Sequence, residues 1–72
     1  MDWESIRANW QYYKSLAQFR WTKLTVQHVD LIAGRREVLL VQLSSLYGIS
    51  PDAAQMQLEY WQGRLRAPAP EA

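Results

Sequence analysis

The run Leu39-Leu40-Val41-Gln42-Leu43-Ser44-Ser45-Leu46-Tyr47-Gly48-Ile49-Ser50-Pro51-Asp52 decides the fold class. Leu39, Leu40, Leu43, Leu46 and Tyr47 recur at three- and four-residue spacing, the periodicity of one side of a helix. Gly48 can take the left-handed conformation that stops a helix, because it carries no Cβ. Ser50-Pro51-Asp52 then opens another helix: serine caps free amides, proline loses no needed N–H in the first turn, and aspartate complements the dipole. Ala54, Leu58, Trp61 and Leu65 form the stripe of that last helix.

Upstream, Thr25 precedes Val26, Val29, Ile32 and Ala33, so its hydroxyl can cap a helix of about two turns that ends at Gly34, after which Arg35 restarts helical spacing. At the N-terminal end Asp2 is an N-cap for Trp3, Ile6 and Trp10, and the stripe continues through Tyr13, Ala17 and Trp21. Either one helix runs to about Thr22, or Ala8-Asn9 breaks it into a short and a long piece; the break is the preferred reading. No run alternates with period two, so nothing supports a sheet. The expectation is an all-α domain over residues 1–66, with four or five short helices packed as crossed helical hairpins around a Trp-rich core. Residues 67–72, Ala-Pro-Ala-Pro-Glu-Ala, read as a flexible tail, since proline interrupts helices and nothing larger than alanine is available to bury.

Composition narrows the function classes. A 72-residue chain with no Cys has neither disulfides nor thiolate metal sites to reinforce a small core. Its 49% hydrophobic residues, including four Trp and four Tyr, must supply the stability by burial. A formal net charge of +1 is far from the profile of a dedicated nucleic-acid binder. Met1-Asp2-Trp3-Glu4 does not resemble an export signal, and no stretch approaches the roughly 20 apolar residues of a membrane span, so a cytoplasmic location without membrane insertion is expected.

Catalysis has little to stand on. His28 is the only histidine and reads as a surface or cap-adjacent residue, because Asp30 alone does not complete a metal or general-base site. Serines and threonines lack a histidine–carboxylate pair in any recognisable order. No catalytic residue, cofactor or metal is therefore expected. Gly34-Arg35-Arg36 marks a helix junction where free amides and two guanidiniums can hold a phosphate, which makes Arg35 and Arg36 candidate contacts for weak nucleic-acid binding. Against that stand Glu37 and the low net charge, and the plainer reading is a turn with solvated arginines. The four tryptophans fall on helical stripes and are assigned to the core instead of to base stacking.

In order and spacing, Asn9-Trp10, Tyr13-Lys14, Trp21, Lys23-Leu24-Thr25, Ile32, Gly34-Arg35-Arg36-Glu37, Leu39, Tyr47-Gly48, Ala54 and Trp61 resemble the CsbD-like family of small bacterial stress-response proteins. The resemblance covers roughly residues 1 to 62. It implies a compact domain of four or five helices and expression linked to stress, and it carries over no catalytic or ligand-binding residue. Departures from the family pattern are informative. Val26-Gln27-His28 replaces an acidic run, Ser15, Thr22 and Val41 stand where glycine is expected, and Tyr12, Leu16 and Phe19 occupy positions that the family usually keeps polar. At about 100° per residue these last three lie nearly opposite the Trp10, Tyr13, Ala17 and Trp21 seam, at i, i+4 and i+7. A small domain cannot bury both faces of one helix, so Tyr12, Leu16 and Phe19 are the candidate interface for a protein partner or a homo-oligomer.

Overall fold

In a computed structural model, which describes residues 1–66, the chain forms α1 (Trp3–Ala8), α2 (Trp10–Arg20), α3 (Val26–Ile32), α4 (Arg36–Tyr47) and α5 (Pro51–Arg64), with no strand among the described residues. Three helix starts are capped as the sequence dictates. The Asp2 carboxylate accepts from the Ser5 amide at 2.9 Å, Thr25 Oγ1 from the His28 amide at 3.2 Å, and Ser50 Oγ from the Ala53 amide at 3.1 Å. Asn9 does break the first stripe, ending α1 and preceding α2, with its side-chain amide donating to the Ser5 carbonyl at 2.8 Å. The tail assignment for 67–72 lies outside the described residues.

Two boundaries differ from expectation. The third helix ends at Ile32, and it is Ala33, at φ 49°, that adopts the left-handed C-cap, followed by Gly34 at φ 80°. Two consecutive left-handed residues turn the chain sharply enough for α4 to begin at Arg36. Gly34 is needed there for space as well as for φ: a Cβ would sit 3.0 Å from Arg7 Cγ and 3.2 Å from Arg7 Cα. In α4 only Leu39 and Leu43 are fully buried, while Leu40, Leu46, Tyr47 and Val38 pack against the core from half-buried positions.

Consecutive helices pack on one another, α1 on α2, α2 on α3, α3 on α4 and α4 on α5. The core joins Ile6, Trp10, Tyr13 and Ala17 to Trp21, Leu24, Val29, Ile32, Leu39, Leu43, Ala54, Leu58 and Trp61. Trp61 meets Trp21 edge-on, with ring centroids 5.2 Å apart, so α5 closes over the C-terminal end of α2. Trp3 is the exception among the tryptophans. It is half-buried, because its indole lies at the α3–α4 junction and donates to the Gly34 carbonyl at 2.8 Å. Two more indoles are tied: Trp10 Nε1 donates to the Val29 carbonyl at 2.9 Å, and Trp21 Nε1 to Gln57 Oε1 at 3.0 Å. An indole thus contributes a large apolar area and a directional bond at once. The segment after α5 is fixed by Tyr13, whose hydroxyl donates to the Arg66 carbonyl at 2.7 Å.

Two outcomes follow from this packing. Trp61→Ala should cost about 3–5 kcal/mol, most of the stability of so small a domain, and abolish a cooperative thermal transition in circular dichroism. The second concerns alkaline pH. Burial raises the Tyr13 phenol above its ordinary value, and neighbouring Tyr12 adds to the rise. The native state then holds the proton more tightly than the unfolded chain does. The associated stability is complete below the unfolded value of about 10 and is lost as pH climbs through the raised native value. Tyr13→Phe should lower the urea midpoint at pH 8, through loss of the Arg66 hydrogen bond, and flatten its further fall above about pH 10. A fall as steep as in wild type would assign the alkaline loss to other groups.

Candidate functional site

The outer face of α2 is the site the sequence singles out. Tyr12, Leu16 and Phe19 are all exposed, Phe19 the most at 87% of its surface, on the side of α2 opposite buried Trp10, Tyr13 and Ala17. The Tyr12 ring packs edge-on against Tyr13 with centroids 4.9 Å apart, which anchors one end of the stripe to the core. At the other end Arg20 lies with its guanidinium carbon 5.3 Å from the centroid of the Trp21 ring. Lys14, on the flank toward α3, is 3.5 Å from Asp30. Such a surface supplies stacking and apolar contact with cations beside it and no group placed for bond chemistry. Exposed Val26, Leu31, Val41, Met56 and Tyr60 add apolar area on other helices.

The Gly34-Arg35-Arg36 junction is built differently from the sequence expectation. The Arg35 amide is already occupied, donating to the Ile32 carbonyl at 2.8 Å, and the Gly34 carbonyl receives the Trp3 indole. The Arg35 side chain turns back onto the end of α3, with Nη2 2.8 Å from the Leu31 carbonyl and Nε 3.4 Å from the Ile32 carbonyl. There it neutralises the negative end of the helix and satisfies carbonyls that have no partner within the helix. Arg36, expected in solvent, is half-buried at the start of α4. Arg7, Glu4 and Glu37 line the same shallow pocket, so two carboxylates accompany the three guanidiniums. Sequence spacing could not reveal this capping, because an arginine one residue past a left-handed turn looks the same whether it folds back or extends.

His28 belongs to a cap. Its Nδ1 accepts from the Thr25 amide at 3.0 Å while its own amide donates to Thr25 Oγ1, a capping box in which histidine stands where a glutamate or glutamine usually does. Among the described residues no group of three or more His, Cys, Asp and Glu side chains is arranged to hold a metal. No helix among them is long and apolar enough to cross a membrane. Burial raises the Tyr13 phenol above its ordinary value, and its hydroxyl is committed to the Arg66 carbonyl, a structural contact.

These contacts separate the two arginines. Arg35→Ala should lower stability by about 0.5–1.5 kcal/mol, a few degrees in thermal midpoint, whereas Arg36→Ala should leave the midpoint within about 2 °C. Differential scanning calorimetry of the two single variants checks the ordering; equal effects would mean that the α3 cap contributes nothing.

Comparison with known proteins agrees with the motif reading. No family model and no solved structure matches the chain. A UPF0337 protein of Rhodopseudomonas palustris is 34% identical over 61 residues, spanning 85% of this chain and 92% of the relative. One of Agrobacterium fabrum is 34% identical over 64 residues, 89% of this chain and 96% of the relative. Another, of Protochlamydia amoebophila, is 33% identical over 66 residues, 92% of this chain and all of the relative. Their names designate a family and no activity. With identity at this level over nearly the whole length, the chain belongs to the UPF0337 family, which is the CsbD-like family.

Proposed function

We propose that this protein is a noncatalytic, cytoplasmic stress-response protein that acts by binding, through the outer face of α2, either a protein partner or another copy of itself. The observation that carries the reading is the exposure of Tyr12, Leu16 and Phe19 in one line on a helix whose other face is fully committed to the core. Scattered exposed apolar residues are ordinary on any surface. Three in register over two turns, two of them aromatic, are the arrangement that helix-on-groove and helix-on-helix recognition uses. Membership in the CsbD-like family supports the link to stress. The absence of a catalytic function rests on the lack of converging nucleophile, base and acid in the sequence. Nucleic-acid binding at Arg35 and Arg36 has less support, since Arg35 is engaged in capping α3 and Glu4 and Glu37 share the pocket.

The test is a Leu16→Glu, Phe19→Glu double variant. It should keep its helical circular dichroism and lose assembly in sedimentation equilibrium, or lose the proteins that wild type captures from stressed bacterial cells. Global unfolding of the variant would place the stripe in the core. A wild type that stays monomeric at high concentration and captures nothing would end the binding reading.

A further inference from the structure

We infer that the occupant of the α2 face is an acidic amphipathic helix of another protein and not a second copy of this chain; the inference rests on the reading of that face as a binding surface. It begins with how α2 and α5 lie. The Trp21 indole donates to Gln57 and packs on Trp61, and the Tyr13 hydroxyl donates to the Arg66 carbonyl, so residues 57–66 run opposite in direction to residues 13–21 and are tied to them through these side chains. Tyr60 and Arg64 follow Gln57 at three- and seven-residue spacing, which puts them on the edge of α5 that borders α2. By the same spacing rule Leu16 and Arg20 lie on the edge of α2 that borders α5. The stripe therefore widens into one surface: Tyr12, Leu16 and Phe19 on α2, Tyr60 on α5, and Arg20 and Arg64 beside them.

The charges on this surface have one sign. Residues 10–20 hold Lys14 and Arg20 and neither Asp nor Glu, and α5 ends in Arg64, followed by Arg66. Both surface arginines are held in place by rings. Arg20 lies over Trp21, and Arg64 lies 5.5 Å from the Tyr60 centroid with Nη1 3.2 Å from the Tyr60 hydroxyl. Guanidiniums fixed in this way lose little conformational freedom when a carboxylate docks. Lys14 is already matched by Asp30, and Glu59, the acidic neighbour on α5, points about 100° away from Tyr60 around that helix.

Area decides between the occupants. The exposed parts of Tyr12, Leu16, Phe19 and Tyr60 amount to roughly 500 Å², against about 800 Å² that each partner of a stable complex removes from water. Apolar contact alone falls short, so charge must contribute. A second copy docking through the same face brings more arginine to it, whereas an acidic helix brings carboxylates to Arg20, Arg64 and Arg66. The two-turn length of the stripe suits a partner helix with three leucine-like side chains at matching spacing, flanked by Asp or Glu.

The test uses the full chain and two synthetic helical peptides, identical in their leucine stripe and flanked either by glutamates or by glutamines, with a short oligothymidylate as a third ligand. The glutamate peptide should shift amide resonances of α2 and of residues 57–66 and bind at least about tenfold tighter than the glutamine peptide. Its affinity should fall about tenfold in each of Phe19→Glu and Arg20→Glu, both folded by circular dichroism, and should fall with salt. Equal binding of the two peptides would overturn the acidic assignment while leaving the binding surface standing. So would tighter binding of oligothymidylate at the same residues, or a homodimer in sedimentation that Phe19→Glu dissolves. If nothing binds and the protein is monomeric, the inference and the binding reading fall together.

Discussion

The contact between Trp21 and Trp61 is the one on which the rest of the structure depends. Neighbouring helices in this chain touch through short connections, but only α5 can cover the aromatic end of α2, and it does so with one indole edge-on to another and Gln57 holding the Trp21 nitrogen. A 72-residue chain without Cys has no cross-link to substitute for that closure. Indoles suit the task because each buries a large area while its single donor fixes direction. Trp3, Trp10 and Trp21 each tie their helix to a carbonyl or amide oxygen of a different segment. Among the described residues every buried side-chain nitrogen and oxygen has a hydrogen-bond partner, so the cost of taking these groups out of water is offset.

On α2 both the inward and the outward faces are apolar. Trp10, Tyr13 and Ala17 are spent entirely on the interior, and the helix still presents three apolar residues outward. The outward residues are not needed to satisfy the interior, where every buried side-chain nitrogen and oxygen among the described residues has a partner. Lys14, paired with Asp30 of α3, lies on one flank and Arg20 at the C-terminal end, while α2 itself carries no carboxylate. The resulting surface is polarised in chemistry even though the chain as a whole is nearly neutral.

Much of this was legible in the residues themselves. Asp2, Thr25 and Ser50 announce helix starts through side-chain oxygens, Gly48 announces a stop, and the apolar spacing places the buried faces. All of these signals act within four residues of one another. What the sequence hid depends on residues far apart. Trp3 leaves the core because Gly34, in the α3–α4 turn, offers a carbonyl to its indole, and Arg35 becomes a cap because the left-handed pair Ala33-Gly34 aims it backwards. The exposed stripe on α2 was visible as a pattern. Its continuation onto Tyr60 and Arg64 was not, since that follows only from the antiparallel placement of α5.

The ties at the two ends of the chain bear on the order in which the molecule is made. Met1 and Gln62 are joined by a hydrogen bond from the Gln62 amide to the Met1 carbonyl at 3.0 Å, and Tyr13 reaches the Arg66 carbonyl across a similar span of sequence. Contacts between successive helices form quickly because little chain must be closed, whereas these long loops carry the greater entropic cost. A nascent chain that has emerged only as far as Gly48 lacks the ring that covers Trp21 and the carbonyl that accepts from Tyr13. The last helix must therefore be made before these aromatic side chains of the first half of the chain are covered.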